Sequence, residues 1–121
     1  MKILLVDDDA FLRDMYATKF TEAGDTVSVA QSGEEALSLI EREPVEVVLM
    51  DMVMPGMSGV ELLTAIKAKA GDSSPTCIVL SNQGEPEDID EATAAGASGY
   101  IIKAESIPSE VVTKVKKLVK A

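Results

Sequence analysis

Apolar residues in this chain follow two patterns that alternate from one end to the other. Continuous runs rich in Val, Ile and Leu occupy residues 2 to 6, 26 to 30, 45 to 50, 76 to 80 and 99 to 102, the signature of short strands buried on both faces. Between them apolar positions recur at helical spacing: Phe11, Leu12, Met15 and Phe20 with Lys19; Ala36, Leu37 and Ile40; Val60, Leu63, Ile66 and Ala70; and Ile89, Ala92 and Ala95. A fifth such stretch, Val111, Val112, Val115, Leu118 and Val119, closes the series.

Local chemistry marks where the helices start and stop. Ser32 precedes Glu35 by three residues and Ser58 precedes Glu61 by three, each a capping-box spacing. Pro86 and Pro108 suit the first turns of the fourth and fifth helices. Gly24, Gly71 and Gly96 stand where helices should end, because glycine readily adopts the left-handed backbone of a C-terminal cap.

Strands and helices therefore alternate strictly, without a long linker, repeat or low-complexity segment. That order predicts one α/β domain over residues 1 to 121, a doubly wound parallel sheet with helices on both faces. Two strand orders suit five strands. The amphipathic first and last helices fit 2-1-3-4-5, the flavodoxin-like topology, in which both share one face. Ligands of such sheets bind beyond the carboxyl ends of the strands, near the switch point between the first and third.

Composition narrows the chemistry. The chain has 121 residues, 46% of them hydrophobic, enough for one sizeable core. Twenty-one acidic against eleven basic residues give a formal charge of −10, which argues against direct contact with nucleic acid or an anionic membrane. No run is long enough for a signal peptide or a bilayer span, and the single Cys77 reads as a small core residue, so the expected setting is cytoplasmic. With no His in the chain, any catalysis rests on carboxylates, hydroxyls, Lys or a metal ion.

The residues that leave the strands supply those groups. Asp7, Asp8 and Asp9 follow the first strand, Asp51 the third, Ser81 the fourth and Lys103 the fifth. Clustered carboxylates repel one another and recruit a cation, and all-oxygen ligands suit Mg²⁺, with Mn²⁺ as the alternative ion. Mg²⁺ can take up phosphate oxygens, Ser81 and Lys103 can each meet another, and an Asp carboxylate such as Asp51 can accept a phosphoryl group.

At this point the chain resembles the receiver domains of bacterial response regulators, of the chemotaxis type used in two-component signalling. The likeness runs over essentially its whole length. It is carried by LLVDDD at 4 to 9, VVLMDMVMPGMSG at 47 to 59, IVLSN at 78 to 82 and GASGYIIK at 96 to 103. The resemblance implies that Asp51 is the phospho-acceptor and Asp8 a direct metal ligand. It further makes Asp7 a ligand acting through metal-bound water and the Val53 carbonyl another ligand. Ser81 then follows the phosphoryl group, Lys103 pairs with its charge, and Tyr100 changes rotamer on activation, while Asp9 is a helix cap.

Five positions depart from the family pattern or bear on phosphoryl lifetime. Ser58-Gly59 replaces the usual Asp-Gly, a harmless exchange since Ser caps a helix equally well. Ala104 replaces a Pro usually joined by a cis peptide to the Lys, and a cis bond before Ala costs roughly 2.5 to 4 kcal/mol. A trans or strained loop is expected there. Val53 and Gln83 flank the path of the hydrolytic water, and Asn82 narrows the phosphoryl pocket, so self-dephosphorylation is expected to be slow to moderate.

The implied donor is a sensor histidine kinase or phosphotransfer protein. The output is a downstream protein effector, or a homodimer, engaged through the fourth helix, fifth strand and fifth helix. Asp88, Asp90 and Glu91 give that face negative charge and Lys114, Lys116, Lys117 and Lys120 positive. The chain would be a switch that catalyses its own modification, not a metabolic enzyme. Two alternatives stay open: a receiver-shaped binding module that takes no phosphate, and an Mg²⁺-dependent phosphatase with an Asp nucleophile after the first strand. The phosphatase motif fails at its last position, because Asp7-x-Asp9 is followed by Ala10 and Phe11.

Overall fold

The structure, a computed structural model, describes residues 1–120. The chain runs β1 (Lys2–Val6), α1 (Ala10–Glu22), β2 (Thr26–Ala30), α2 (Gly33–Arg42), β3 (Val47–Met50) and α3 (Gly59–Ala70). It continues through β4 (Thr76–Ser81), α4 (Pro86–Ala94), β5 (Gly99–Ile102) and α5 (Pro108–Lys120). All strand pairs are parallel, in the order β2-β1-β3-β4-β5. This is the doubly wound, flavodoxin-like sheet that the sequence pattern predicts.

Alternation along the buried strands builds two cores. Leu4, Val6, Val48, Met50, Cys77 and Val79 face α2, α3 and α4, where they meet Ala36, Leu62, Leu63, Ile66 and Ala92. Ile3, Leu5, Val47, Leu49, Ile78, Leu80 and Ile101 face α1 and α5, where they meet Tyr16, Phe20, Val111 and Val115. The first and last helices thus share one face. Burial pushes the Cys77 thiol up to about 11, which leaves it protonated and inert in the core.

The caps follow from the same residues. Asp9 accepts the Leu12 amide at 3.1 Å, and the Ser58–Glu61 box is closed in both directions at 3.2 and 3.1 Å. Ser32 accepts the Glu35 amide at 3.2 Å, which forms half of the expected box. Gly24 and Gly96, just past α1 and α4, have φ of 94° and 111°, the left-handed backbone those stops need.

Four details differ from the sequence pattern. β3 begins at Val47, because Val45 packs against the core from the loop after α2 and does not join the ladder. β4 extends through Ser81, which pairs with Ile102, so Ser81 is the last residue of a strand. Phe11 belongs to the apolar pattern of α1 yet is 76% exposed, while Tyr16 takes the buried position. Lys116, which the sequence assigns to the charged face formed with α4 and β5, is half-buried and meets the buried Asp25 after α1 at 2.5 Å.

Candidate functional site

Strand register sets the site. β1 and β3 pair at Val6 and Met50, so Asp7 and Asp51 leave the sheet side by side; β4 and β5 pair at Ser81 and Ile102, so Lys103 follows on the next position. Lys103 is buried, and its Nζ lies 2.7 Å from Asp7 Oδ2 and 3.0 Å from Asp51 Oδ2. On the other side of Asp51, Oδ1 accepts the Ser81 hydroxyl at 2.9 Å and the Val53 amide at 3.2 Å. Ser81 Oγ in turn accepts the Gln83 amide at 3.2 Å, and the Tyr100 hydroxyl donates to the Gln83 carbonyl. A chain of hydrogen bonds therefore joins Asp51 to β5.

Asp7 is buried and Asp8 exposed, and ligand atoms of Asp7, Asp8 and Asp51 all lie within 4.8 Å of one another. Burial by itself would lower the Lys103 ammonium. The hydrogen bond to Asp7 and the charge of Asp51 outweigh it and hold the group above the ordinary lysine value. One ammonium among three carboxylates leaves two formal negative charges (3 − 1 = 2). An all-oxygen cluster with that residual charge, open on the Asp8 side, fits a hard divalent cation such as Mg²⁺.

Val53, Asn82 and Gln83 are all exposed beside this cluster. Among the described residues no peptide is cis, so the Lys103–Ala104 bond is trans. A 3₁₀ turn over Lys103–Glu105 carries the chain away while Lys103 still reaches both carboxylates. Met50, Met52 and Met54 are buried around the strand end, as packing requires.

Two nearby residues escape a sequence-level reading. Tyr16 is buried on the α1 side, and burial, opposed by the charge of Lys103, pushes its phenol up. Arg13 donates from Nη1 to the Asp7 carbonyl at 3.0 Å. The helical spacing of α1 is the only signal that could have pointed to either.

Gly59 opens α3 against the backbone of Asp51 and Met52: its amide bonds to the Met52 carbonyl at 3.0 Å, and a Cβ there would stand 2.3 Å from Asp51 O and 2.9 Å from Met52 Cα. Both obstacles are main chain and cannot swing aside. Gly59→Ala is expected to cost about 3 kcal/mol in urea unfolding, the upper end for an overpacked site, and to shift the Asp51 amide resonance.

The model of the response regulator receiver domain family matches residues 3–116. The two-component response regulator PhoP of Pseudomonas aeruginosa is 35% identical over 103 residues, 85% of this chain and 45% of that protein. The chain thus spans less than half of that relative's length. The chemotaxis protein CheY of Halobacterium salinarum is 33% identical over 108 residues, covering 89% of this chain and 88% of CheY. Among solved structures, the chemotaxis protein CheY4 of Vibrio cholerae superposes with a TM-score of 0.90 at 28% identity, over 97% of each chain. With five parallel strands in the 2-1-3-4-5 order and the family match over nearly its full length, the chain belongs to the response regulator receiver domains of two-component signalling.

Proposed function

We propose that this chain is a phosphoryl-accepting switch of a two-component relay, with Asp51 as the acceptor. The observation that carries the reading is the two-sided hold on one carboxylate: Lys103 on Asp51 Oδ2 and Ser81 on Oδ1. These are a cation and a hydroxyl placed where the oxygens of a transferred phosphoryl group would need partners.

The donor is a phosphohistidine on a sensor kinase or phosphotransfer protein. An Asp51 oxygen attacks phosphorus, the bond from phosphorus to the imidazole nitrogen breaks, and the electron pair returns to the imidazole. Asp8, Asp51 and the Val53 carbonyl would hold Mg²⁺, with Asp7 acting through water and Mn²⁺ as the alternative ion. The bound ion supplies charge neutralisation for the phosphoryl oxygens. Lys103 offsets the charge gained at Asp51. Ser81, released from Oδ1, donates to a phosphoryl oxygen, and its movement loosens the Gln83 amide that it now accepts.

Tyr100 senses that movement through the Gln83 carbonyl. The change is read at the α4-β5-α5 face, whose Asp88, Asp90 and Glu91 oppose Lys114 and Lys117 and suit a charged partner or a second copy of the chain. Phe11 in the first turn of α1, Val53 on the loop after β3 and Ile107 just before α5 stand exposed at this end of the sheet, which offers a protein donor apolar contact around the acceptor. Val53 offers no group to orient a hydrolytic water, whereas Gln83 does, in keeping with slow to moderate self-dephosphorylation. The phosphatase alternative has less support, because Asp9 is engaged as the α1 cap.

The test is to incubate the chain with Mg²⁺ and acetyl phosphate and follow intact mass, with beryllofluoride and NMR in parallel. The expected result is one phosphoryl group, located at Asp51 and absent when EDTA removes Mg²⁺ before the donor is added. No addition from any donor, including a phosphorylated kinase, would replace this reading with that of a binding module.

A further inference from the structure

Two of the three clustered carboxylates are fastened by their side chains. Lys103 and the Asp9 amide hold Asp7, and Lys103, Ser81 and the Val53 amide hold Asp51. Asp8 differs: it is exposed, and no donor among the described residues reaches its carboxylate. Its aim is therefore set by the two peptides that flank it. The following peptide is held by its Asp9 amide, which donates to Asp7 Oδ1 at 2.9 Å. The preceding peptide presents the Asp7 carbonyl, and that oxygen takes Arg13 Nη1 at 3.0 Å.

We propose that Arg13 is a positioning residue of the cation site, holding Asp8 in place through the peptide that joins Asp7 to Asp8. This rests on the reading of the acidic cluster as an Mg²⁺ site. Arg13 is well placed to act as a clamp, because its own amide bonds to the Asp9 carbonyl at 2.9 Å and fixes it to the helix that Asp9 caps. A planar guanidinium can brace a peptide plane in a way that a flexible ammonium does not.

Two further features separate positioning from other roles. Arg13 Nε is buried and finds no acceptor among the described residues, so the guanidinium carries a desolvation cost and is a poor device for stability alone. Its positive charge also lies beside a site that would bind a cation, so a purely electrostatic role would make Mg²⁺ bind more tightly once the charge is removed. Positioning predicts the opposite sign.

The experiment compares wild type with Arg13→Met, which keeps an unbranched apolar stem, and Arg13→Lys, which keeps the charge but loses the planar fork. Mg²⁺ is titrated while the amide resonances of Asp8, Asp51 and Val53 are followed, and urea unfolding is measured in EDTA. The Mg²⁺ dissociation constant is expected to rise about 10-fold in Arg13→Met, the lower end for loss of an outer partner of a metal ligand, with a smaller rise in Arg13→Lys. Stability without metal should hold or increase in Arg13→Met, because the orphaned donor is gone. Unchanged or tighter Mg²⁺ binding in Arg13→Met overturns the proposal, and so does a weakening that tracks an equal loss of stability in EDTA. A wild-type chain that binds no Mg²⁺ brings down the metal reading with it, whereas normal wild-type binding with unaltered variants brings down the role of Arg13 alone.

Discussion

Asp51→Asn is expected to gain no phosphoryl group from acetyl phosphate or from a phosphorylated kinase under conditions in which the wild-type chain gains one, as read by intact mass. An amide oxygen is a far weaker nucleophile than a carboxylate, and Asn cannot form the acyl phosphate. The hydrogen bonds add to the effect. Asp51 Oδ1 serves two donors, Ser81 and the Val53 amide, and Oδ2 serves a third, Lys103. Asn has one oxygen, so whichever way the amide lies, its NH₂ group faces a donor. With the oxygen toward Ser81 and Val53, the NH₂ points at the Lys103 ammonium; turned round, it meets the Val53 N–H. Phosphoryl mass appearing at Asp7 or Asp8 of this variant would show that acceptance belongs to the cluster and not to one positioned carboxylate. A melting curve close to that of wild type is the control that the variant is folded.

Most of the fold is legible in the chain because burial on both faces leaves a simple mark. β1, β2 and β5 have the bounds of their apolar runs, and Asp9, Ser58 and Pro86 stand at the helix starts they suit. The gathering of Asp7, Asp8, Asp51, Ser81 and Lys103 is also legible, since a parallel sheet with helical crossovers brings every carboxyl end to one edge. Hydrophobicity does not register everything. Val45 is apolar because it packs, not because it pairs, so the start of β3 is read two residues early.

What the sequence hides lies mainly in contacts made by the main chain or across large separations. Arg13 binds a carbonyl, and every residue has one, so no residue type marks the partner. Lys116 meets Asp25 across the gap between α5 and the end of α1, which no local pattern records. Phe11 fits the apolar spacing of α1 but stands exposed in its first turn, and a period of 3.6 residues does not say how far a neighbour extends. The trans peptide at Ala104 was one of two outcomes the residue type allowed, and the 3₁₀ turn after β5 realises it.

Lys103→Met should destabilise the chain most in the absence of divalent cations and should make its stability depend on Mg²⁺. The side chains of Lys103 and Asp7 are 5% and 3% exposed and that of Asp51 is 15%, so removing the ammonium leaves two neighbouring carboxylates with little solvent and no counter-charge. Breaking a buried pair from one side costs about 3 to 5 kcal/mol, and the partial exposure of Asp51 puts the expectation at the lower end, about 3 kcal/mol. Because Mg²⁺ at Asp8 and Asp51 would replace part of the missing charge, the gain in melting temperature between EDTA and Mg²⁺ should be larger in the variant than in wild type. The pH dependence has a definite sign. The folded-state pKa of Lys103 is raised, so its stabilisation is fully present below the unfolded lysine value of about 10.4 and is lost as pH rises through the higher folded value. The gap between wild type and variant should therefore persist through neutral and mildly alkaline pH and close only in strong alkali. Phosphoryl uptake should fall about 100-fold or more, the usual loss when one preorganised partner of a developing charge is removed. Equal melting temperatures in EDTA would mean that the Asp7–Lys103–Asp51 bridge only offsets its own desolvation; its function would then be to hold Asp51 ready for transfer, and the rate loss would stand without the stability loss.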